Sequence, residues 1–465
     1  MKAAPIAKAA LLLLVLCRQA AAEDRVFFGN LHSHTSYSDG SGKPADAYTY
    51  ARTKGKLDFL LISEHNHASA ENGASADRRD GILIAKDHSL YTGPKAAALI
   101  PAAKSATKAN FLALYGQEFS TISSGNHVNV FDVPKVIDVP NGDFKDLVRW
   151  LGENKDSGGQ PAIVQLNHPA EYNEADNEEY GRDDFASATE WLAQFGGHVS
   201  LAELVVGPAM AKPTDTDKTP RVMEKDYLDL LNIGFKVAPT ADQDNHYKTW
   251  GTSSNARTGV VADALTKEKI LAALRARHAY ATEDPTLRIV VRMGGGLAGD
   301  VVASPALNSE IPIDISIVDD DEPVADYEVE VYSDKGPGGD VAKVIDTVKI
   351  HGNTATPAKI EDIRFTGTGQ YVFLKIRQLE DEGNGDRAWI APVWFATAGS
   401  PTPSPPTIAG APAATGKEVA SKKSEVYHLS DECIDAKRIK QENRLMGELA
   451  KNGRRLHTGC PRKQE

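Results

Sequence analysis

Asn30-Leu31-His32-Ser33-His34-Thr35-Ser36-Tyr37-Ser38-Asp39-Gly40 follows closely on the apolar run Val26-Phe27-Phe28, and it sets two histidines one residue apart with an acidic turn behind them. In an extended chain, residues i and i+2 share a face, so both imidazoles look the same way. Alone, such a pair is common by chance, and alone Asp39 is an ordinary turn residue. Together they form the start of a metal site, because neutral imidazole and carboxylate are the ligands that divalent transition metals take.

Working outward, the same arrangement recurs. Phe59-Leu60-Leu61-Ile62 runs into Ser63-Glu64-His65-Asn66-His67, and Phe111-Leu112-Ala113-Leu114 into Tyr115-Gly116-Gln117-Glu118-Phe119. Ala162-Ile163-Val164-Gln165-Leu166 runs into Asn167-His168-Pro169, and Phe235-Lys236-Val237-Ala238 precedes Asp242 and Asp244-Asn245-His246. These apolar runs alternate with helical stretches over residues 25–284, which predicts a parallel α/β array. His32, His65, Glu118, His168 and Asp244 all fall at or just past the C-terminal end of a predicted strand, where barrel folds gather their chemistry. Surface histidines have no reason to prefer strand ends.

Some roles stay open at this level. Glu118 reads either as a carboxylate bridging two ions or as a solvated glutamate. His127, in Gly125-Asn126-His127-Val128-Asn129, and His168 read either as ligands or as core histidines satisfied by hydrogen bonds. Asp242 competes with Asp244 for the carboxylate role. Glu203, in the run Leu201-Ala202-Glu203-Leu204-Val205, either orients a ligand histidine or is a buried acid paired elsewhere. Thr266 followed by Ile270, Leu271 and Leu274 predicts a capped amphipathic helix.

Beyond residue 285 the period changes to two. Ile311, Ile313, Ile315 and Ile317 alternate with polar neighbours, as do Val372, Leu374 and Ile376, which predicts half-buried antiparallel strands and a β-sandwich over 286–398. Asn384-Gly385 is a hairpin signal. Residues 399–416 read as a Pro/Ala-rich linker, and 417–465 as a small Cys/His module with 12 Lys and Arg against 8 Asp and Glu.

The chain has 465 residues, long enough for two or three folded units, and its 41% apolar and 25% charged content is that of a globular protein. Lys2 and Lys8 precede the apolar run 9–16 and the small-residue pattern 20–22, a secretory signal too short to span a bilayer, which would need roughly 20 apolar residues. Cleavage near Ala22 removes Lys2, Lys8, Arg18 and Cys17, leaving no integral membrane segment and a periplasmic or secreted chain more acidic than the −12 of the full sequence. That charge argues against a general nucleic-acid coat protein. Cys433 and Cys460 remain near the C-terminus. In an exported chain they form a disulfide, or bind zinc with His428 and His457. The basic tail offers contact to nucleic acid or another anionic polymer.

The runs NLHSHTSYSDG, LISEHNH, YGQEF, GNHVNVF, LNHP and DQDNH, in this order over residues 30–246, resemble the PHP (polymerase and histidinol phosphatase) family of metal-dependent hydrolases. The endings LRARHAYAT (274–282) and GDRAWIAPVW (385–394) are similar to the exported branch that includes carbaryl hydrolase. The resemblance implies a distorted (β/α)7 barrel over residues 23–285, followed by the all-β sandwich and the small C-terminal module. It implies up to three divalent ions, zinc, manganese or iron. His32, His34, Glu118 and Asp244 would hold the first, Asp39, His65 and His246 the second, and Glu118, His127 and His168 the third. Asp39 stands where many relatives have histidine, and Glu64 where many have aspartate.

The implied chemistry is attack by a metal-bridging hydroxide on a small-molecule ester, with a phosphoesterase favoured. A carboxylic ester or carbamate hydrolase, a nuclease, and a catalytically retired polymer-binding protein are the alternatives. Arg257, Arg277 and Lys248 are candidate cationic helpers, and His67 a candidate proton donor to the leaving group.

Overall fold

The computed structural model describes residues 24–66, 88–94, 97–119, 127–139, 143–169, 180–181, 185–334, 343–367, 369–380 and 383–396, together with four short strands beyond residue 418. The signal segment, His67, the linker, Cys433, His457 and Cys460 lie outside the described residues.

Strands and helices alternate through the first half: β1 (Arg25–Asn30), α1 (Pro44–Thr53), β2 (Phe59–His65), α2 (Ser89–Thr92), α3 (Leu99–Ala106), β3 (Leu112–Phe119), β4 (Val128–Phe131), α4 (Phe144–Glu153), β5 (Ile163–Leu166), α5 (Ala188–Phe195), β6 (Val199–Val206), β7 (Arg221–Val222), α6 (Glu224–Ile233), β8 (Ala238–Asp242), β9 (Arg257–Ala262), α7 (Lys267–Arg275) and β10 (Ala279–Thr282). β2, β3, β6 and β8 are buried along their whole length, as strands covered on both faces must be. The helices begin as their sequences dictate. Thr266 caps α7 by accepting from the Lys269 N–H, and Ser187 caps α5 by accepting from that of Glu190.

β1, β2 and β3 pair in parallel, and so do β5, β6 and β8. β4 joins the two groups antiparallel to both β3 and β5. Beyond β8 the chain returns to the exit of β1: Ser33 and Asn245 form a parallel bridge, and the Asp244 N–H donates to the His32 carbonyl at 2.9 Å. The C-terminal ends of these strands therefore meet around one edge, while along its length β1 is flanked by the antiparallel β9.

Two elements depart from the sequence reading. β4 was not expected, since four residues beginning just after His127 carry too short a pattern. The last strand of this run lies at 238–242 rather than 235–238, because Phe235 and Val237 are drawn into the apolar cluster of Tyr227, Leu230 and Leu231 from α6.

The second half contains β11 (Leu287–Met293), β12 (Gly296–Leu297), β13 (Val301–Ala303), β14 (Ile313–Asp319), β15 (Asp326–Ser333), β16 (Lys343–His351), β17 (Ala358–Ile360), β18 (Tyr371–Glu380), β19 (Gly383–Ile390) and β20 (Val393–Ala396). One four-stranded sheet runs β12-β11-β14-β17. Its Ile289, Val291, Ile313, Ile315 and Ile317 share a core with Val329, Val331, Leu374 and Ile376 from β15 and β18. The sheet that holds β15 and β18 is continuous with the first half, because β19 pairs antiparallel with β10.

The β18–β19 hairpin turns three residues earlier than Asn384-Gly385 suggests, with Glu380 opposite Gly383 and Asn384 opposite Leu379. Gly385 serves the register shift instead: a Cβ there would sit 2.1 Å from the Gln378 carbonyl oxygen. Strands β21 (Val419–Ser421), β22 (Val426–His428), β23 (Arg444–Met446) and β24 (Arg455–Leu456) form a separate sheet in the order β23-β21-β22-β24. Among the described residues no helix is long and apolar enough to cross a membrane.

Candidate metal centre

Each strand end delivers its residue to the same edge. His32 and His34 leave β1, His65 ends β2, Glu118 lies near the end of β3, His168 follows β5, and Asp244 and His246 follow β8. His127 precedes its strand, and this now has a reason: β4 runs antiparallel, so its beginning lies where its neighbours end. Two of these residues hold left-handed backbone, His168 at φ 30° and Asp244 at φ 47°, a conformation that non-glycine residues keep where surrounding contacts enforce it.

Glu118 is the hub, and it is 1% exposed. Its Oε1 lies 3.1 Å from His32 Nε2, 2.9 Å from His127 Nδ1 and 3.5 Å from His168 Nε2. Its Oε2 lies 3.1 Å from His34 Nε2 and 3.0 Å from His65 Nδ1. Asp244 Oδ1 is 3.1 Å from His32 Nε2 and 3.0 Å from His34 Nε2. On the far side of His34, Asp39 Oδ1 is 3.5 Å from His65 Nε2 and 3.3 Å from His246 Nε2.

These separations test the fit of metal ions. Ligand bonds of about 2.0–2.1 Å in a tetrahedron give ligand-to-ligand edges of about 3.3 Å. The two Nε2 atoms of His32 and His34 stand 3.2 Å apart, aimed at a common point along with Asp244 and Glu118. Asp39 Oδ1 and Glu118 Oε2 are buried oxygens that receive no hydrogen bond, although histidine nitrogens surround them. Among the described residues no lysine or arginine forms an ion pair with Asp39, Glu118 or Asp244. Three carboxylates, Glu118 and Asp244 buried and Asp39 half-buried, without a fixed cation are the donor set of a metal centre.

Three groups have their ligand atoms within 4.8 Å of one another: His32, His34, Glu118 and Asp244; His34, Asp39, His65 and His246; and His65, Glu118 and His127. The first is the set implied by the family resemblance. The second adds His34 to its expected members. The third takes His65 in place of His168, whose ring stays 5.0 Å from that of His127, centroid to centroid.

Neighbouring groups set which ring nitrogen faces inward. His32 Nδ1 lies 2.8 Å from Glu203 Oε1, and His246 Nδ1 donates to the Asp244 carbonyl at 2.8 Å, so both present Nε2 to the centre. Glu203 also accepts from the His168 backbone N–H at 2.6 Å, which settles its open role: it orients two strand ends at once. Asp242 is equally occupied elsewhere, accepting from the Leu31 N–H at 2.6 Å, Gln165 Nε2 at 3.0 Å and the Thr258 hydroxyl at 3.2 Å. It pins strands together and leaves the cluster to Asp244. Glu64 accepts from the Thr35 N–H and from the hydroxyls of Thr35 and Ser38, so it props the loop carrying His34 and Asp39. Burial pushes its carboxyl up to about 7.

Without ions, protons balance the cluster's charge. Burial works to raise the Glu118 and Asp39 carboxyls, yet the surrounding imidazoles hold both well below the ordinary range. Burial opposes protonation of His34 too, but its bonds to Asp244 and Glu118 raise it to about 10. At His65 burial prevails and lowers the ring to about 3.

The candidate cationic helpers are placed otherwise. The Arg257 guanidinium donates to the carbonyls of Ser254, Ala256, Gly55 and Gly251, so it clamps loops rather than facing the cluster. Arg277 donates to the Gly299 carbonyl and lies over the Trp394 ring, 5.5 Å from its centroid. Both placements share a cause: a guanidinium withdrawn from water has five donors to satisfy, and backbone carbonyls are the nearest acceptors. Lys248 is exposed. Sequence reasoning missed Asn167, whose Nδ2 donates to Glu118 Oε1 at 3.0 Å; its position beside His168 was the only signal.

No family model matches the chain, and no curated protein matches it. One solved structure that it resembles is that of a two-domain protein containing a predicted PHP-like metal-dependent phosphoesterase from Bacteroides vulgatus, with 15% identity over 79% of this chain and 95% of that chain, at a TM-score of 0.39. At that level the likeness is remote and assigns neither fold nor activity.

Proposed function

We propose that the chain is an exported metal-dependent hydrolase of the PHP type that cleaves phosphate esters of small molecules. Its metal centre would sit on a distorted (β/α)7 barrel, with the all-β unit and the small C-terminal module appended. The observation that carries the reading is the convergence of His32, His34, His65, His127 and His168 on the two oxygens of one buried glutamate. The ordered sequence motifs over residues 30–246 supply the family.

His32, His34, Glu118 and Asp244 would hold one ion, Asp39, His65 and His246 a second, and His127 and His168 with Glu118 a third. When bound, such ions supply Lewis acidity and an activated water for attack on phosphorus. The chain's own residues do the rest. Glu118 ties the ligand groups together, Glu203 and the Asp244 carbonyl hold two imidazoles in the tautomer that presents Nε2, and Glu64 fixes the loop on which His34 and Asp39 ride. The walls are buried polar groups, so ester oxygens entering the cluster would leave bulk water behind.

The test is hydrolysis of a chromogenic phosphate ester by the mature protein with added manganese or zinc. Turnover that chelation abolishes and metal restores supports the reading. Turnover of carboxylic ester or carbamate alone would move the substrate class, and none on any ester would leave a binding protein.

A further inference from the structure

A cavity of about 1260 Å³ lies in the crevice between the two halves of the molecule, and no residue of the histidine cluster lines it. Its walls carry eight basic residues against five acidic ones, in a chain whose full sequence has a net charge of −12. On the wall formed by the first half stand Lys54 and Lys56, in the link from α1 to β2, and Lys218, in the connection from β6 to β7. Among the described residues the lysines that form ion pairs are Lys225, Lys267, Lys269 and Lys375, so these three are not matched by an acid. Lys218 gives one of its three donors to the Thr252 carbonyl at 2.8 Å. Lys56 holds left-handed backbone at φ 56°, where glycine or asparagine serves a turn at less cost, so the turn alone gives no reason for a lysine. In the same wall Arg257, 7% exposed, donates only to backbone carbonyls, and among the described residues it forms no ion pair. Buried cations are ordinarily paired with an anion.

The wall formed by the second half is basic as well. Arg377 on β18 and Arg387 on β19 both line the cavity and are direct cross-strand partners, an arrangement of like charges that costs stability. Their acids stand on the outer sides: Glu328 on β15 pairs with Arg377, and Glu283, just beyond β10, pairs with Arg387. No acid in the ladder separates the two arginines. Arg288 on β11 lies over the Phe28 ring, 5.5 Å from its centroid. Among the described residues Phe28 is the one aromatic residue lining the cavity, so its face is already taken.

We propose that this crevice binds a compact polyanion, a small molecule carrying several sulfate or phosphate groups, between its two walls. The volume suits a molecule rather than one inorganic ion, since drug-sized ligands occupy about 300–1,000 Å³. Lysine and arginine are the side chains that hold tetrahedral oxyanions, the first as a point charge and the second as a fork. With Phe28 covered, the lining offers no ring on which a base could stack, which selects against single-stranded nucleic acid. The bound molecule supplies the charge that Arg257 and the Arg377–Arg387 pair lack, and it joins the α1–β2 link of the first half to β18 and β19 of the second.

The experiment is isothermal titration of the full chain with sucrose octasulfate, a probe without phosphorus that phosphate ester hydrolysis does not consume. One equivalent is expected to bind and to raise Tm, with affinity falling steeply as sodium chloride goes from about 50 to 500 mM. Lys54→Gln, Lys56→Gln and Lys218→Gln, combined in one variant at exposed or half-buried positions, are expected to raise the Kd about tenfold or more. Zinc content and ester hydrolysis should stay unchanged in that variant, which separates the crevice from the metal centre. Arg288→Gln on the facing wall is expected to raise the Kd about threefold or more. A parallel titration with inositol hexakisphosphate identifies the favoured group, as whichever probe loses more affinity in the lysine variant. No binding of octasulfate up to about 1 mM in about 50 mM salt, or the same Kd in wild type and the lysine variant, would overturn the site. An unchanged Kd in Arg288→Gln would overturn the hold across two walls, and an oligonucleotide that binds more tightly than octasulfate and loses as much in the lysine variant would replace the compact polyanion by nucleic acid.

Discussion

β2 and β3 are buried at every residue, whereas β14 alternates, with Ile313, Ile315 and Ile317 inward and Asp314 and Ser316 half exposed. A strand covered on both faces has nowhere to carry polar groups except its ends, and there His65 and Glu118 stand. A half-buried strand disperses its polar groups over an open face and gathers acids only at its turns, as Asp319 and Glu322 do. Burial pattern therefore sorts the molecule into a histidine-rich cluster at strand ends and a group of acids at the turns of the second half.

The strongest way to break this contrast is to remove the first pair of rings. His32→Ala with His34→Ala is expected to abolish turnover and uptake of the first ion, while the second half keeps its cooperative unfolding transition. Retained turnover would mean that the strand-end cluster is not the reacting centre. Next in size, Ile315→Ala removes a side chain from the shared core of β11, β14, β15 and β18 and is expected to cost about 2–5 kcal/mol in chemical denaturation. Zinc content per folded molecule should not change, and a parallel loss of zinc would show that the halves are not separable.

Acid and base sharpen the contrast further. His34 is raised to about 10 in the metal-free protein, so it is cationic at neutral pH and must lose its proton before it can bind a metal. Metal uptake in weak buffer should therefore release protons, and apparent affinity should climb with pH and level off near 10. The sign for the metal-free fold is opposite. A raised histidine contributes stability that is complete below its unfolded value of 6.5 and is lost as pH rises through about 10. Uptake without proton release would remove His34 from the ligand set.

Smaller still, Glu203→Gln keeps the shape but weakens the hold on His32 Nδ1. An affinity loss of about 10–100-fold at constant Tm is expected by competition with a chelating dye. Arg257→Lys should leave kcat within about twofold while lowering Tm through lost carbonyl contacts. A collapse of kcat at full stability would restore Arg257 to the chemistry.

Much of this was legible in the residues. The apolar runs before His65, Glu118 and His168 marked strands whose ends carry chemistry, and the isoleucines at 311–317 marked the change to a two-residue period. What escaped depended on partners distant in the chain. β4 is four residues long, and only pairing with β3 and β5 defines it. The choice between Asp242 and Asp244 turns on Leu31 and Gln165 holding the former. Arg257 looked free because its acceptors are backbone carbonyls, which composition does not reveal.

Metal analysis of the purified protein beside its phosphate ester hydrolysis tests the strand-end cluster most directly. Two or more equivalents of a divalent transition metal are predicted, lost together with turnover on chelation and regained together on reloading. Protein that is free of metal and still cleaves the ester at its full rate would contradict the account.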